Sequence, residues 1–292
     1  MVLAGLAMTG LASRALAMPP IAEPERFVAA IAGIEARSGG RLGVALIDPA
    51  GGQAIGYRIA ERFPLCSTFK LLAAAAILAR VDAGRERLDR VIRFARADLV
   101  TYSPITQAAA GGPGMTIAAL CVAAITMSDN TAGNLLLDAI GGPAGWTAFA
   151  RGIGDRVSRL DRRETALNSA IPGDPRDTTT PAAMAADIAR LTIGRALSPA
   201  SRRTLIGWLS ANRTGDARLR AGLPAGWRIA DKTGSGDNGT ANHVALLWPP
   251  DGRPIVATVY LTGCPLDGAG RDAAIADVAR AIVAARVSNP PR

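Results

Sequence analysis

The chain has 292 residues, long enough to bury a sizeable core in one compact unit or in two interleaved domains, and its make-up, 49% hydrophobic and 20% charged, is that of a globular protein. The net charge of +9 invites an anionic partner, yet the basic residues are scattered without a run of five like charges and aromatic residues are only 4%, so nucleic-acid stacking is poorly supplied. Past the first residues no stretch approaches 18 uninterrupted apolar residues, which argues against a membrane span.

Residues 2 to 12 are apolar, and Ala15-Leu16-Ala17 places small residues where a signal peptidase reads. Residues 1–17 are therefore expected to be a signal peptide, with a periplasmic or secreted mature protein. One feature departs from that pattern: no positive charge precedes the apolar run, and Arg14 follows it. A proline-rich lead, 18–24, enters a first helix from Pro24 to Glu35. Leu42, Val44 and Leu46 then alternate through Arg41–Asp48 as a strand, Pro49 to Gly52 turns, and Gln53–Ile59 reads as a second strand. An alanine- and leucine-rich helix follows from Ser67 to Val81, with further helical periodicity near 116–126, 129–140, 181–192 and 199–211. Between them Arg162–Thr180 is polar, proline-punctuated and aperiodic, too long for an ordinary connection and therefore functional or disordered. Strand character returns in Trp227–Lys232, Ala241–Trp248 and Pro254–Leu261, before a last helix over 271–287.

Two early strands and three late ones predict one five-stranded antiparallel sheet, flanked by helices and assembled from both chain ends, with an all-α domain inserted: an α+β fold, the α/β sandwich. The expected division is 18–60 plus 212–292 for the sheet domain and 61–211 for the helical one. Cys66, Cys121 and Cys264 show no metal-site or disulfide spacing and read as small buried hydrophobes. His243, the sole histidine, lacks a cysteine or second histidine to complete a metal site, so no metal is expected and no cofactor is implied.

The most informative residues are two lysines. Only Lys70 and Lys232 remain among 33 lysines and arginines. Arginine supplies the same charge and more donors but cannot be deprotonated, so a retained lysine suggests proton chemistry or a compact point charge. Lys70 closes Ser67-Thr68-Phe69-Lys70, Lys232 opens Lys232-Thr233-Gly234, and Ser128-Asp129-Asn130 lies between them. A spacing of three at a helix start puts Ser67 and Lys70 on one face, beside unpaired backbone N–H groups that can hold an oxyanion. Ser67 is then a nucleophile and a desolvated Lys70 a candidate base. Ser128 can relay a proton to a leaving nitrogen and Asn130 can donate to a substrate amide carbonyl. Lys232 and Thr233 can hold a substrate carboxylate, Gly234 admits a close ligand, and the Ser235 N–H can join that of Ser67 as an oxyanion hole.

In this order the three motifs resemble those of the class A serine β-lactamases, and the resemblance covers about residues 25 to 290. It extends to Arg162-Arg163-Glu164-Thr165-Ala166-Leu167-Asn168 and on through residues 170–179. The resemblance implies hydrolysis of penicillins and cephalosporins: Ser67 is acylated, with Lys70 or Glu164 as the acylation base, and Glu164 then activates water held with Asn168; a monomer is expected. It implies an Arg162–Asp177 ion pair closing the loop and Tyr102 as an aromatic wall. The family's carboxylate-binding arginine is replaced by Ala241 here, and Arg218 matches the position of a substitute in other members. Cys66 beside the nucleophile occurs in carbapenemases and cefotaxime-hydrolysing enzymes, but the carbapenemase partner cysteine is Gly236 here, and the partner position for Cys121 is Ala74. Lys232 through Asp237 is closer to cephalosporin-tolerant members, so oxyimino-cephalosporins are expected as substrates and carbapenems as poor ones. The rival readings are a slowly turning over penicillin-binding or sensor protein, against which Glu164 and Asn168 argue, and an idle basic envelope protein.

Overall fold

A computed structural model describes residues 24–48, 54–250, 252 and 254–287. The expected signal peptide and the turn at 49–52 lie outside these residues. In chain order the elements are α1 (Pro24–Ser38), β1 (Arg41–Ile47), β2 (Ile55–Tyr57), β3 (Phe63–Pro64), a 3-10 turn (Cys66–Thr68) and α2 (Phe69–Asp82). There follow β4 (Val91–Ile92), α3 (Thr106–Ala109), β5 (Met115–Thr116), α4 (Ile117–Thr126), α5 (Asn130–Ile140), α6 (Gly142–Gly152), β6 (Thr178–Thr179), α7 (Pro181–Thr192) and α8 (Pro199–Ser210). Last come α9 (Leu219–Gly222), β7 (Arg228–Gly236), β8 (Thr240–Trp248), β9 (Ile255–Thr262) and α10 (Gly268–Val287).

Five strands form one antiparallel sheet in the order β2-β1-β9-β8-β7, so the first strands pair with the last and the fold is the expected α+β sandwich. Alternate residues of these strands enter different cores. Leu42, Val44, Leu46, Val259 and Leu261 meet Phe27 and Ile31 of α1 and Ile275 and Val278 of α10. Ala45, Val244, Leu246, Val256 and Tyr260 join the apolar side chains of α2, α4, α5 and α7. Burying a valine, leucine or isoleucine contributes about 1.5–3 kcal/mol, and two covered faces explain why β9 is apolar on both sides, Thr258 being the interior exception, with its hydroxyl bonded to the Pro181 carbonyl.

Helix starts follow their caps. Thr116, Asp129, Thr180 and Ser198 each accept a first-turn N–H, and Pro181 and Pro199 occupy first helical positions whose N–H has no helical partner. Helix α2 is apolar nearly all round and is buried from Phe69 to Leu78, which carries Lys70 into the interior.

Three differences from the sequence expectation stand out. β2 is shorter, because Arg58 takes a left-handed φ of 49° and turns away to bond Glu35 and Glu61. β7 runs on to Gly236, held by its hairpin with β8. The middle segment also contains a helix at 142–152 and two short antiparallel ladders, β3–β6 and β4–β5, the first tying the chain just before Ser67 to the end of the 162–180 loop.

Candidate active site

The motifs converge where edge strand β7 meets the turn at 66–68. Gly236 lies so close that a Cβ there would stand 2.5 Å from the Asn168 carbonyl oxygen and 2.7 Å from Cys66 Sγ, which keeps the strand and the turn in contact. Ser67 Oγ donates to Glu164 Oε1 at 3.1 Å and accepts from Lys70 Nζ at 2.9 Å. The Lys70 ammonium also lies 2.9 Å from Glu164 Oε1, 2.8 Å from the Ser128 carbonyl oxygen and 2.6 Å from Asn130 Oδ1. Lys232 Nζ donates to Ser128 Oγ at 3.0 Å, joining the second motif to the third.

Both lysines are fully buried. Burial pushes the Lys70 ammonium below its ordinary value, with Glu164 pulling the other way, and Lys232 is lowered well below its own by burial and by the positive charge of Lys70. The site thus carries basic groups whose protons are held less firmly than in water, beside a hydroxyl and a carboxylate.

Asp129 organises the turn between the first two motifs. Its carboxylate accepts from the backbone N–H groups of Ile105, Thr106 and Ala132 and from the Thr106 hydroxyl. The Asn130 N–H donates to the Tyr102 carbonyl and its side-chain amide to the Thr101 carbonyl, so the exposed Tyr102 ring stands beside the start of α5. The 162–180 loop is closed by Arg162 Nε donating to Asp177 Oδ2 at 2.5 Å, with Asp177 also accepting from the N–H groups of Asp161 and Arg162. Glu164 is held at both ends: Asn134 of α5 bonds its N–H and its carbonyl, and Asn168 Nδ2 donates to Oε2. Asn168 Oδ1 is buried without a protein partner.

Arg218 reaches β7 from the turn before α9. Its guanidinium donates to the Gly234 carbonyl at 2.8 Å, the Asn242 carbonyl at 2.9 Å, Ser235 Oγ at 2.8 Å and Asp272 Oδ1 at 2.7 Å. It therefore sits beside the paired residues Ser235 and Ala241. Thr233 is hydrogen-bonded to Thr214. Cys66, Cys121 and Cys264 are buried free thiols. Among the described residues no group of three or more histidine, cysteine or acidic side chains is set to hold a metal ion.

Sequence reading did not single out Asn134, Thr214 or the pairing of Asp231 with His243. Asn134 left one signal: it lies four residues after Asn130 on the same helix, one turn along the same face.

The profile described as the Beta-lactamase enzyme family matches residues 25–285. Beta-lactamase AST-1 of Nocardia asteroides is 50% identical over 250 residues, 86% of this chain and 80% of that protein. Beta-lactamase Toho-1 of Escherichia coli is 51% identical over 229 residues, 78% of each. Among solved structures, an ancestral (GNCA) class A β-lactamase superposes with a TM-score of 0.87 at 62% identity, over 89% of this chain and 99% of that one. The chain belongs to the class A β-lactamases, enzymes that hydrolyse β-lactam antibiotics and confer resistance to them.

Proposed function

We propose that the chain opens the β-lactam amide of penicillins and cephalosporins through an ester on Ser67 and then hydrolyses that ester. The observation that carries this reading is the position of Ser67 Oγ between Lys70 Nζ, at 2.9 Å, and Glu164 Oε1, at 3.1 Å, in a buried site. Either group is within reach of the hydroxyl proton as Oγ attacks the lactam carbonyl. The N–H groups of Ser67 and Ser235 receive the developing oxyanion. The C–N bond breaks as Ser128, backed by Lys232, delivers a proton to the lactam nitrogen and is reprotonated from the lysines. Glu164 next takes a proton from a water that attacks the ester, and Ser67 regains its hydrogen as it leaves. The buried, unpartnered Asn168 Oδ1 supports a water-holding role.

Lys232, Thr233, Ser235 and Arg218 receive the substrate carboxylate. Asn130 donates to the side-chain amide carbonyl and Tyr102 walls the cleft; Gly234, expected from the sequence to admit a ligand, instead lets β7 lie against the 65–68 turn, where a Cβ would stand 3.2 Å from the Leu65 carbonyl oxygen. The Arg162–Asp177 pair keeps the loop that carries Glu164 closed. The reading calls on no cofactor and no nucleic acid. It takes the enzyme as an exported monomer, accepting oxyimino-cephalosporins and turning over carbapenems poorly. Among the described residues no helix is long and apolar enough to cross a membrane.

The test is product per mole of enzyme with excess benzylpenicillin, together with intact mass. Many equivalents with little adduct in the parent, and a persistent adduct in Glu164→Gln, support the reading. A lasting one-to-one adduct in the parent itself overturns it in favour of a penicillin-binding protein.

A further inference from the structure

Among β7, β8 and the turn before α9 lies a buried polar cluster that the proposed reaction does not use. His243 and Asp231 are both fully buried, and His243 Nε2 lies 2.9 Å from Asp231 Oδ2. Its other ring nitrogen, Nδ1, accepts the Leu219 N–H at 3.2 Å. A ring that accepts at Nδ1 must carry its proton on Nε2, so the two bonds define a neutral tautomer donating to Asp231. Burial favours that neutral ring, lowering its tendency to take a second proton against the pull of the Asp231 charge. Asp231 also receives Arg220 Nη2 at 2.6 Å and the Asn212 amide. The turn leading to Arg218 rests directly on the pair. A Cβ at Gly215 would stand 2.5 Å from Asp231 Oδ2 and 3.0 Å from His243 Cε1, and the Gly215 carbonyl accepts the Arg218 N–H at 3.1 Å. Arg218 is thus bracketed by Gly215 before it and Leu219 after it, both set by these two side chains.

We infer that His243 is a positioning residue for the substrate carboxylate: by accepting the Leu219 N–H while donating to Asp231, it fixes the turn from which Arg218 reaches Ser235. The inference rests on the proposed carboxylate role of Arg218. A chain that lacks an arginine at position 241 on β8 has to bring one from a neighbouring turn, and a turn holds a guanidinium in place only if its backbone is anchored. The His243–Asp231 pair supplies that anchor from β8 and β7 together, the strands that carry Ala241 and Ser235.

Two substitutions separate the two bonds. His243→Asn keeps an acceptor near Nδ1 and loses the donor to Asp231, whereas His243→Gln can place a donor near Nε2 and loses the Leu219 acceptor. With benzylpenicillin, His243→Gln is expected to raise KM about tenfold with kcat within about twofold, the pattern of lost uniform binding, and His243→Asn, which keeps the Leu219 bond and loses the Asp231 one, to raise KM by less, about threefold. Arg218→Ala serves as the reference. If it raises KM and His243→Gln does not, the positioning role is wrong and the carboxylate role stands. If Arg218→Ala leaves KM unchanged, both fall. A readout independent of folding in the variants is the nitrogen NMR spectrum of the parent, in which the single histidine gives one imidazole pair. A protonated Nε2 and a bare Nδ1 at neutral pH are expected; the opposite tautomer or an imidazolium overturns the inference.

Discussion

Asn134 clasps the backbone of Glu164 from both sides: its amide oxygen accepts the Glu164 N–H at 3.0 Å and its amide nitrogen donates to the Glu164 carbonyl at 3.0 Å. A side chain on α5 thereby sets the height of a carboxylate that belongs to a loop. Asn134→Ala removes both bonds and leaves two backbone groups to find other partners. Glu164 would lose its placement against the proposed ester water while Ser67 and Lys70 keep theirs. Deacylation is expected to slow by about tenfold or more, a part of the roughly 10²–10⁴-fold that a positioned general base contributes. Quenched-reaction mass spectrometry should then find acyl-enzyme accumulating in steady state; an unloaded enzyme at full turnover would refute the role.

Asp129 supports three backbone N–H groups and a hydroxyl from one buried carboxylate. Asp129→Ala strands Ile105, Thr106 and Ala132 at once and removes the cap of α5. At about 1–3 kcal/mol for each unsatisfied donor, a loss of roughly 3 kcal/mol or more is expected. Urea unfolding measures it directly, and a loss below about 1 kcal/mol would show that water replaces the carboxylate without penalty. Binding should suffer too, because the 101–106 segment carries Tyr102.

The ion pair that closes the 162–180 loop is nearly dry on the acid side, with the Asp177 side chain 1% exposed and that of Arg162 19%. Arg162→Ala leaves Asp177 its two backbone donors but no counter-charge. Breaking a buried pair costs about 3–5 kcal/mol, and the remaining donors place this case near the lower figure. Faster proteolysis within 164–176, lower thermal stability and a reduced kcat on benzylpenicillin are expected. Unchanged proteolysis would mean that the β3–β6 ladder alone holds the loop.

Asp155, just after α6, and Asp187, on α7, are two buried carboxyl groups that flank the same loop in sequence. Burial, then the charge of Asp155, raises the Asp187 carboxyl to about 9, whereas Asp155, though burial opposes it, is lowered by a hydrogen bond from Asp187. Raised this far, the Asp187 carboxyl keeps its proton at neutral pH and can donate it to Asp155. The folded chain keeps that proton up to about pH 9, while the unfolded chain releases it near 3.8. The contribution of Asp187 is therefore complete below pH 3.8 and declines as pH rises towards 9. Asp187→Asn preserves a donor to Asp155 and removes the titration. Relative to the parent, its thermal midpoint should rise between pH 5 and pH 8; a constant difference across that range would contradict the retained proton.

What could be read from the sequence divides by distance along the chain. Helices α7 and α8 announce themselves through Thr180-Pro181 and Ser198-Pro199, a cap followed by a proline. Helix α6 does not: Gly142, Gly145 and Gly152 lower its intrinsic preference, and it is stabilised instead by Trp146, whose indole N–H bonds the Phe69 carbonyl at 2.9 Å. The same division runs through the site. Ser67 and Lys70 share a turn and are legible as a unit, as are Lys232 and Thr233. Asn134 with Glu164, Thr214 with Thr233, and Leu219 with His243 meet only after folding, and nothing local says that the two members of each pair belong together. Arg218 is legible only through its likeness to the family, since its four partners come from β7, β8 and the start of α10.

The pairing of β1 with β9 sets a timetable for the chain. The strand that starts at Arg41 rests against one that finishes at Thr262, and α1 packs on α10. On the ribosome the first sixty or so residues therefore emerge with nothing to cover them, and the sheet cannot close until the final strand and helix have been made. A half-made chain of this topology waits, open and rich in apolar side chains. Such a molecule stays extended, and threadable, until its last strand and helix arrive.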